Sequence, residues 1–316
     1  MARIDINLDF RKYNSHPSLI KDLSPAFKAL KDDEVFFTID LNTYSKFLYS
    51  DFLTLVAIVV NHLKANSISV NGNFINLNRA DGKVKYATRV NFFDLLGIQL
   101  EENTVRHSSL GKFTEIKEFN NDTIYQLQDE INRILLNNIK VDRQMLQMLY
   151  YCLNEIMDNV ITHTTQKQGF ACAQLFQTNK EIRLIICDTG LGIHQSLISE
   201  PTGKYKDISE PEALKLCIQK NVTNGKGMGF GLFVSSEFIK ENGGEMLIYS
   251  GNNFLTNTLK EYDTYEGDLW KGTIVFLKIN TDIPVDYKRI LPPTHTLPDD
   301  FKEYIEQVFG IDDNLW

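Results

Sequence analysis

Cysteine is scarce. The chain of 316 residues has four, Cys152, Cys172, Cys187 and Cys217, and none belongs to a C-x-x-C pair. That argues against a disulfide framework or a cysteine-built zinc site; each sits in an apolar, periodic segment where a small buried hydrophobe is expected. Long apolar runs are lacking too. The longest, 52–60, contains Thr54 and is far too short to span a bilayer. Residues 1–7, Met-Ala-Arg-Ile-Asp-Ile-Asn, carry no secretory apolar stretch, so the expected location is cytoplasmic and no membrane partner is expected. Positive charge is in deficit, with 33 Lys and Arg against 41 Asp and Glu and a net charge of −8. Binding along a phosphate backbone needs clustered cations, so nucleic acid is not an expected partner. Internal repeats and low-complexity segments are absent.

What is present is a globular composition, 43% hydrophobic and 23% charged, with length enough for two domains. Residues 35–41 read as a buried strand, and 51–65 as an amphipathic helix on Phe52, Leu55, Val56, Val59, Val60 and Leu63. Strand-like alternation returns over 67–77, and a helix is predicted over 86–96, stopping near Gly97. Polar composition over 101–123 reads as a linker, with packing on the next domain as the alternative. A long helical stretch, 124–162, is predicted to break near 137–141. Strands follow at 171–176 and 182–187, joined by a turn at 178–180. Ser209-Glu-Pro-Glu212 is a capping box opening a helix to about 221, and a helix over 230–241 is closed by Asn242-Gly-Gly. Strands are predicted at 245–250 and 273–279, then an acidic appendage with a short helix near 300–308.

Three stretches carry chemistry. The first is Asn154-Glu-Ile-Met-Asp-Asn-Val-Ile-Thr-His163. Leu146, Leu149, Leu153, Ile156 and Val160 form its buried stripe, which leaves Glu155, Asn159 and His163 on a neighbouring stripe, one turn apart. A carboxylate and an amide oxygen so spaced can serve a hydrated Mg²⁺, and the carboxylate can polarise a water or hydroxyl. Alone, the stretch reads better as a solvated helix face. The second is Ile185-Ile-Cys-Asp-Thr-Gly-Leu-Gly-Ile193. A strand ends in Asp188, able to accept from an amino group, and Gly190 and Gly192 permit close approach; an ordinary Asp-Gly turn is the alternative. The third, Thr223-Asn-Gly-Lys-Gly-Met-Gly-Phe-Gly231, leads into a helix N-terminus, where free N–H groups and the dipole favour phosphate and Lys226 adds charge. A hinge is its alternative.

In this order the three resemble the GHKL superfamily of gyrase-type topoisomerases, heat-shock chaperones, histidine kinases and mismatch-repair ATPases. Gly229-Phe-Gly-Leu-Phe-Val-Ser-Ser-Glu-Phe is similar to the histidine-kinase form, and Lys271-Gly-Thr-Ile-Val-Phe-Leu277 resembles its closing strand. The resemblance spans about 121–280. It implies an α/β sandwich, a mixed sheet covered by helices, that binds ATP and Mg²⁺. It further implies Asn159 as a Mg²⁺ ligand and Glu155 as the general base, itself reaching Mg²⁺ through water. Asp188 would receive the adenine amino group in a pocket shaped by Gly190 and Gly192, with Thr273 on the adenine side. Gly225, Lys226, Gly227, Gly229 and Gly231 would wrap the phosphates within a lid beginning after Ile193. His163 matches a position seen in anti-sigma-factor kinases, a structural histidine being the alternative. Glutamate at 155 is closer to gyrase-like ATPases and anti-sigma serine kinases than to most sensor kinases. No phosphoacceptor His-Glu pair with a following proline precedes the domain, so an autophosphorylating histidine kinase is not expected.

Phe37-Thr-Ile-Asp-Leu, the stretch 47–57 and Val90-Asn-Phe-Phe-Asp-Leu-Leu-Gly-Ile98 resemble a smaller α/β domain, the STAS type. That family carries a regulatory phosphoserine at the start of its first helix. Ser50 lies nearby without the usual glycine, and reads as a helix N-cap. The expected division is a STAS-like domain and linker at 1–120, the ATPase domain at 121–281 and an appendage at 282–316. The expected function is a regulatory ATPase, or a kinase passing the γ-phosphoryl to a partner's Ser/Thr. A non-catalytic, ATP-gated interaction switch and a nucleic-acid-linked ATPase stand as alternatives. Expected partners are ATP or ADP and a regulatory protein, with a homodimer left open.

Overall fold

Near the start of the chain β1 (Arg3–Asp9), β2 (Glu34–Asp40) and β3 (Ser69–Phe74) pair in parallel in that order. The computed structural model describes residues 2–44, 47–100, 106–139, 143–164, 167–223, 229–258 and 261–290, without the side chains at 143–148, 151, 163, 258 and 287. Between these strands run α1 (His16–Leu23), a 3₁₀ turn (Ser24–Lys28) and α2 (Ser50–Ala65). The side chains of β1 alternate, Ile6 and Leu8 buried and Arg3, Asp5 and Asn7 exposed, so one face of this small sheet packs on helices. The helix predicted over 86–96 is two helices, α3 (Gly82–Arg89) and α4 (Phe92–Leu96). Asn91 between them adopts φ 65°, which an uninterrupted helix cannot contain. The Asp81 side chain, accepting from Lys83 N at 2.7 Å, starts α3 four residues earlier than its periodicity suggests.

The second sheet is antiparallel, in the order β4-β5-β6-β8-β7: β4 (Lys117–Asn120), β5 (Gln168–Phe176), β6 (Glu181–Cys187), β7 (Glu245–Thr258) and β8 (Glu261–Asn280). The segment read as a linker therefore packs on the next unit, through β4 and a bridge from Phe113 to Gln174. The helical stretch breaks where predicted, between α5 (Ile124–Asn138) and α6 (Arg143–His163). Then come α7 (Ile193–Ile198), α8 (Glu210–Cys217), α9 (Gly231–Asn242) and α10 (Tyr287–Ile290). The capping box opens α8: Ser209 Oγ accepts from Glu212 N at 3.4 Å and Glu212 Oε2 accepts from Ser209 N at 2.7 Å. Gly243, at φ 62°, closes α9. β7 and β8 outrun the predicted strands as a hairpin arm beyond a register shift at Ser250–Asn253. The appendage begins packed, with Val285 and Ile290 buried, while the helix expected at 300–308 lies outside the described residues.

The chain is a mixed α/β protein whose large sheet, apart from the hairpin arm, is buried on both faces. Along β6, Leu184 and Ile186 join the core made with α5, α6 and α9, whereas Ile185 and Cys187 join the core made with α1 and α2. Val275 and Leu277 of β8 alternate likewise with Ile274 and Phe276. Each such apolar side chain, fully buried, contributes about 1.5–3 kcal/mol.

A charged cluster sits in the seam with the N-terminal helices. Asp51 Oδ2, in the first turn of α2, accepts from His16 Nε2 at 2.8 Å and from Arg183 Nη2 of β6 at 2.5 Å. Burial opposes ionisation of Asp51, but Arg183 and His16 hold its carboxyl well below the usual carboxylate range. The Arg183 guanidinium also lies over the Tyr49 ring at 4.2 Å. Ser50 is not the N-cap of α2; Tyr49 is, and it makes no side-chain cap. Instead Ser50 Oγ, buried in the seam, donates to Gln174 Oε1 at 3.4 Å and accepts from Cys172 Sγ at 3.4 Å.

Candidate functional site

A cavity of about 450 Å³ lies on the α6 and α9 side of the large sheet. Ile186 of β6 and Val275 of β8 give it an apolar floor. Its size falls within the roughly 300–1,000 Å³ of small-molecule sites.

Asp188 enters from the end of β6. The strand is apolar on both faces because both are covered, so Asp188 is only 5% exposed, and burial pushes its pKa up to about 7. Gly190 N donates to Asp188 Oδ1 at 2.6 Å, and Asp188 N donates to Thr273 O at 2.9 Å. Trp270 Nε1 donates to Asp188 O at 3.1 Å. Gly272 presses against this carboxyl at φ 90°; a Cβ there would stand 2.5 Å from Asp188 Oδ1. Behind lies Ser250 of β7, whose Oγ accepts from Ile193 N at 2.9 Å and donates to Gly272 O at 2.9 Å.

The opposing wall is α6. Asn154, Glu155, Asp158, Asn159 and Thr162 line the cavity, while Leu149, Leu153, Ile156 and Val160 are buried as the periodicity requires. Glu155 Oε2 accepts from Gly231 N at 2.6 Å and from Phe230 N at 3.3 Å, at the N-terminus of α9. Its carboxylate thus serves that helix as an anionic cap supplied by a neighbouring helix. The contact is tight: a Cβ on Gly231 would lie 3.0 Å from Glu155 Oε2 and 3.1 Å from Cys152 O. Gly229, at φ 63° just before α9, accepts through its carbonyl from Asn221 N at 3.2 Å. Asp158 has its pKa raised by burial and by the charge of Glu155.

Of the residues singled out in the sequence, Glu155, Asn159, Asp188, Gly192, Gly229, Gly231 and Thr273 line this one cavity. Gly190 stands outside the lining and holds Asp188 through its N–H. Gly225, Lys226 and Gly227 lie outside the described residues, as does the side chain of His163. Sequence reasoning missed Ser250 and Gly272, and it treated Cys217 as a buried hydrophobe although that residue is partly exposed and lines the cavity. Gly272 was discoverable, since it precedes Thr273 in the closing strand motif; Ser250 carried no signal of its own. Among the described lining residues the charged ones, Glu155, Asp158 and Asp188, are all acidic. A cation stands near: Lys220 Nζ is 5.6 Å from the ring of Phe230.

Among the described residues no helix is long and apolar enough to cross a membrane. No curated protein matches the chain. Residues 146–282 match the family model described as "Histidine kinase-, DNA gyrase B-, and HSP90-like ATPase". That span runs from within α6 to the end of β8 and includes the whole cavity lining. Residues 146–282 are therefore a GHKL-type ATPase domain, of a family that binds ATP.

Proposed function

We propose that the chain binds Mg-ATP in this cavity and either hydrolyses it or passes the γ-phosphoryl to a Ser/Thr of a regulatory partner protein. One observation carries the reading: Asp188, Asn159 and Glu155, from two elements far apart in sequence, face a single cavity. The residues fit a nucleotide. Asp188 Oδ1 is already held by Gly190 N, which leaves the carboxylate's remaining lone pairs to accept from the adenine amino group. The Phe230 and Gly231 N–H groups donate to the Glu155 carboxylate, an arrangement suited to an anion at a helix N-terminus. The lining is acidic, so a tetra-anionic triphosphate needs counter-cations, and Mg²⁺ fits the donor set. Asn159 would supply an amide oxygen and Glu155 a carboxylate acting through water, a sparse protein ligation of the kind Mg²⁺ takes. Bound there, Mg²⁺ would neutralise phosphate charge.

Within this reading Thr273 fixes Asp188 through its carbonyl, and Gly192 keeps the turn after Asp188 low. The lid running from after Ile193 to Gly231, with Gly225, Lys226 and Gly227, closes over the phosphates. Glu155 orients the attacking water or hydroxyl and accepts its proton. The N-terminal unit is proposed as a STAS-like regulatory module, on its motifs and its βαβαβ order. The domains would divide at about 120 and 281.

A second reading is favoured by one feature. The Glu155 carboxylate is engaged with α9, so ATP could act as a ligand that locks the lid and switches a protein interface without turnover. Incubating the purified full chain with Mg-ATP labelled at the γ-phosphate, alone and with cell extract added, separates the readings. Free phosphate supports hydrolysis, a labelled partner protein supports the kinase, and intact ATP that remains bound supports the switch. No retained nucleotide and no turnover would overturn all three.

A further inference from the structure

We infer that Ser250 is a positioning residue for recognition of the nucleotide base, acting through Asp188; the inference rests on the proposed role of that aspartate. The geometry places one buried hydroxyl between the two turns that flank the carboxyl. Ser250 Oγ accepts from Ile193 N at 2.9 Å and so fastens the turn that follows Asp188. The same oxygen donates to Gly272 O at 2.9 Å and fastens the turn that precedes Thr273. Ser250 is 5% exposed, and its hydroxyl both donates and accepts.

Each turn touches the next. Gly192, at φ 78°, passes so close that a Cβ there would lie 2.7 Å from Ser250 Oγ. Gly272, at φ 90°, leaves a Cβ no room beside Asp188, at 2.5 Å from Oδ1. Neither glycine can restrain itself, because glycine has the widest backbone freedom of any residue. The restraint comes from outside, and a hydroxyl that binds one N–H and one carbonyl supplies it to both. Ser250 stands where β7 changes register against β8, and the shift lets its side chain meet the two turns. With the serine removed, Gly190 N still holds Asp188, but the walls to either side of it loosen. Discrimination between a 6-amino and a 6-oxo purine depends on those walls, because an unfixed carboxyl can turn away from an acceptor it should repel.

The test measures ADP and IDP binding by calorimetry on the full chain and on Ser250→Ala and Ser250→Thr, with melting temperature as the check on folding. The unaltered protein is expected to prefer ADP. Ser250→Ala should weaken ADP about ten-fold, as expected for loss of a bonded hydroxyl, and leave IDP nearly unchanged, so the preference collapses. Ser250→Thr, which retains the hydroxyl, should restore it. Equal loss for both nucleotides, or no loss, would assign Ser250 a purely structural role and overturn the inference. Equal binding of ADP and IDP by the unaltered protein is a different outcome: it removes Asp188 as the base-reading group, and Ser250 with it. If Ser250→Ala melts early, the ratio in Ser250→Thr alone decides, and a collapsed preference there contradicts the assignment.

Discussion

Asp188 is the residue on which a pH dependence turns. Burial raises its carboxyl to about 7, so the folded protein keeps a proton that the unfolded chain releases at lower pH. Stability of the unliganded protein is therefore expected to fall as pH rises through the window from the ordinary aspartate value, 3.8, to about 7, and to level off above it. Nucleotide binding runs the other way. An amino donor needs the ionised acceptor, so ADP should bind more weakly as pH drops below about 7 and should displace a proton there. Calorimetry in buffers of different ionisation enthalpy reads that proton directly, and Asp188→Asn should flatten the profile. An affinity constant between about pH 5 and about pH 8 would contradict the assignment. Asp188 was legible in the sequence because a strand end followed by Gly-x-Gly is a local pattern. Ser250 was not, because its two partners lie 57 and 22 residues away and nothing at the end of the apolar run Met246-Leu-Ile-Tyr249 marks a serine as a fastener.

Among elements, the contact between α6 and α9 matters most for turnover. Glu155 is both the proposed base and the anion holding the Phe230 and Gly231 N–H groups. Glu155→Gln keeps an acceptor oxygen for α9 but loses the charge. Turnover is expected to drop about 10²- to 10⁴-fold, with ADP binding and melting temperature little changed. Glu155→Ala should also lose about 1 kcal/mol of helix capping, visible in denaturation. Unimpaired phosphate release by Glu155→Gln would remove this residue from the chemistry. Local rules predicted α5, α6 and α9 well, and the start of α8 although it ends at Cys217 rather than near 221, since periodicity, a capping box and a glycine stop are short-range signals. They failed at the hairpin arm and at β4. The arm depends on a register shift, and β4 is a four-residue strand whose existence depends on a partner, β5, about fifty residues on.

At the scale of the whole molecule, the large sheet joins the two units. Its strands read as nearly continuous apolar runs, Leu184-Ile-Ile-Cys187 and Ile274-Val-Phe-Leu277, the mark of a sheet covered on both faces. That feature was available in the sequence, but what covers the second face was not, because His16 and Asp51 are 35 residues apart and Asp51 and Arg183 are 132 apart. The seam is costly to break. Asp51→Asn leaves the Arg183 guanidinium largely uncompensated in a buried site and should destabilise the fold by about 3–5 kcal/mol in chemical denaturation. Asp51 is held below the usual carboxylate range, so its contribution is present at neutral pH and fades as pH falls toward its folded-state value. An unchanged denaturation midpoint would show that the cluster does not fasten the N-terminal unit to the sheet.

The central claim is that this cavity holds an adenine nucleotide with magnesium. Titration of the full chain with ADP, in magnesium and again in EDTA, tests it most directly, with Asp188→Asn in parallel. The account predicts saturable one-site binding that weakens without magnesium and is lost or much reduced in Asp188→Asn. Absence of saturable binding by the unaltered protein, or binding indifferent to Asp188→Asn, would contradict it.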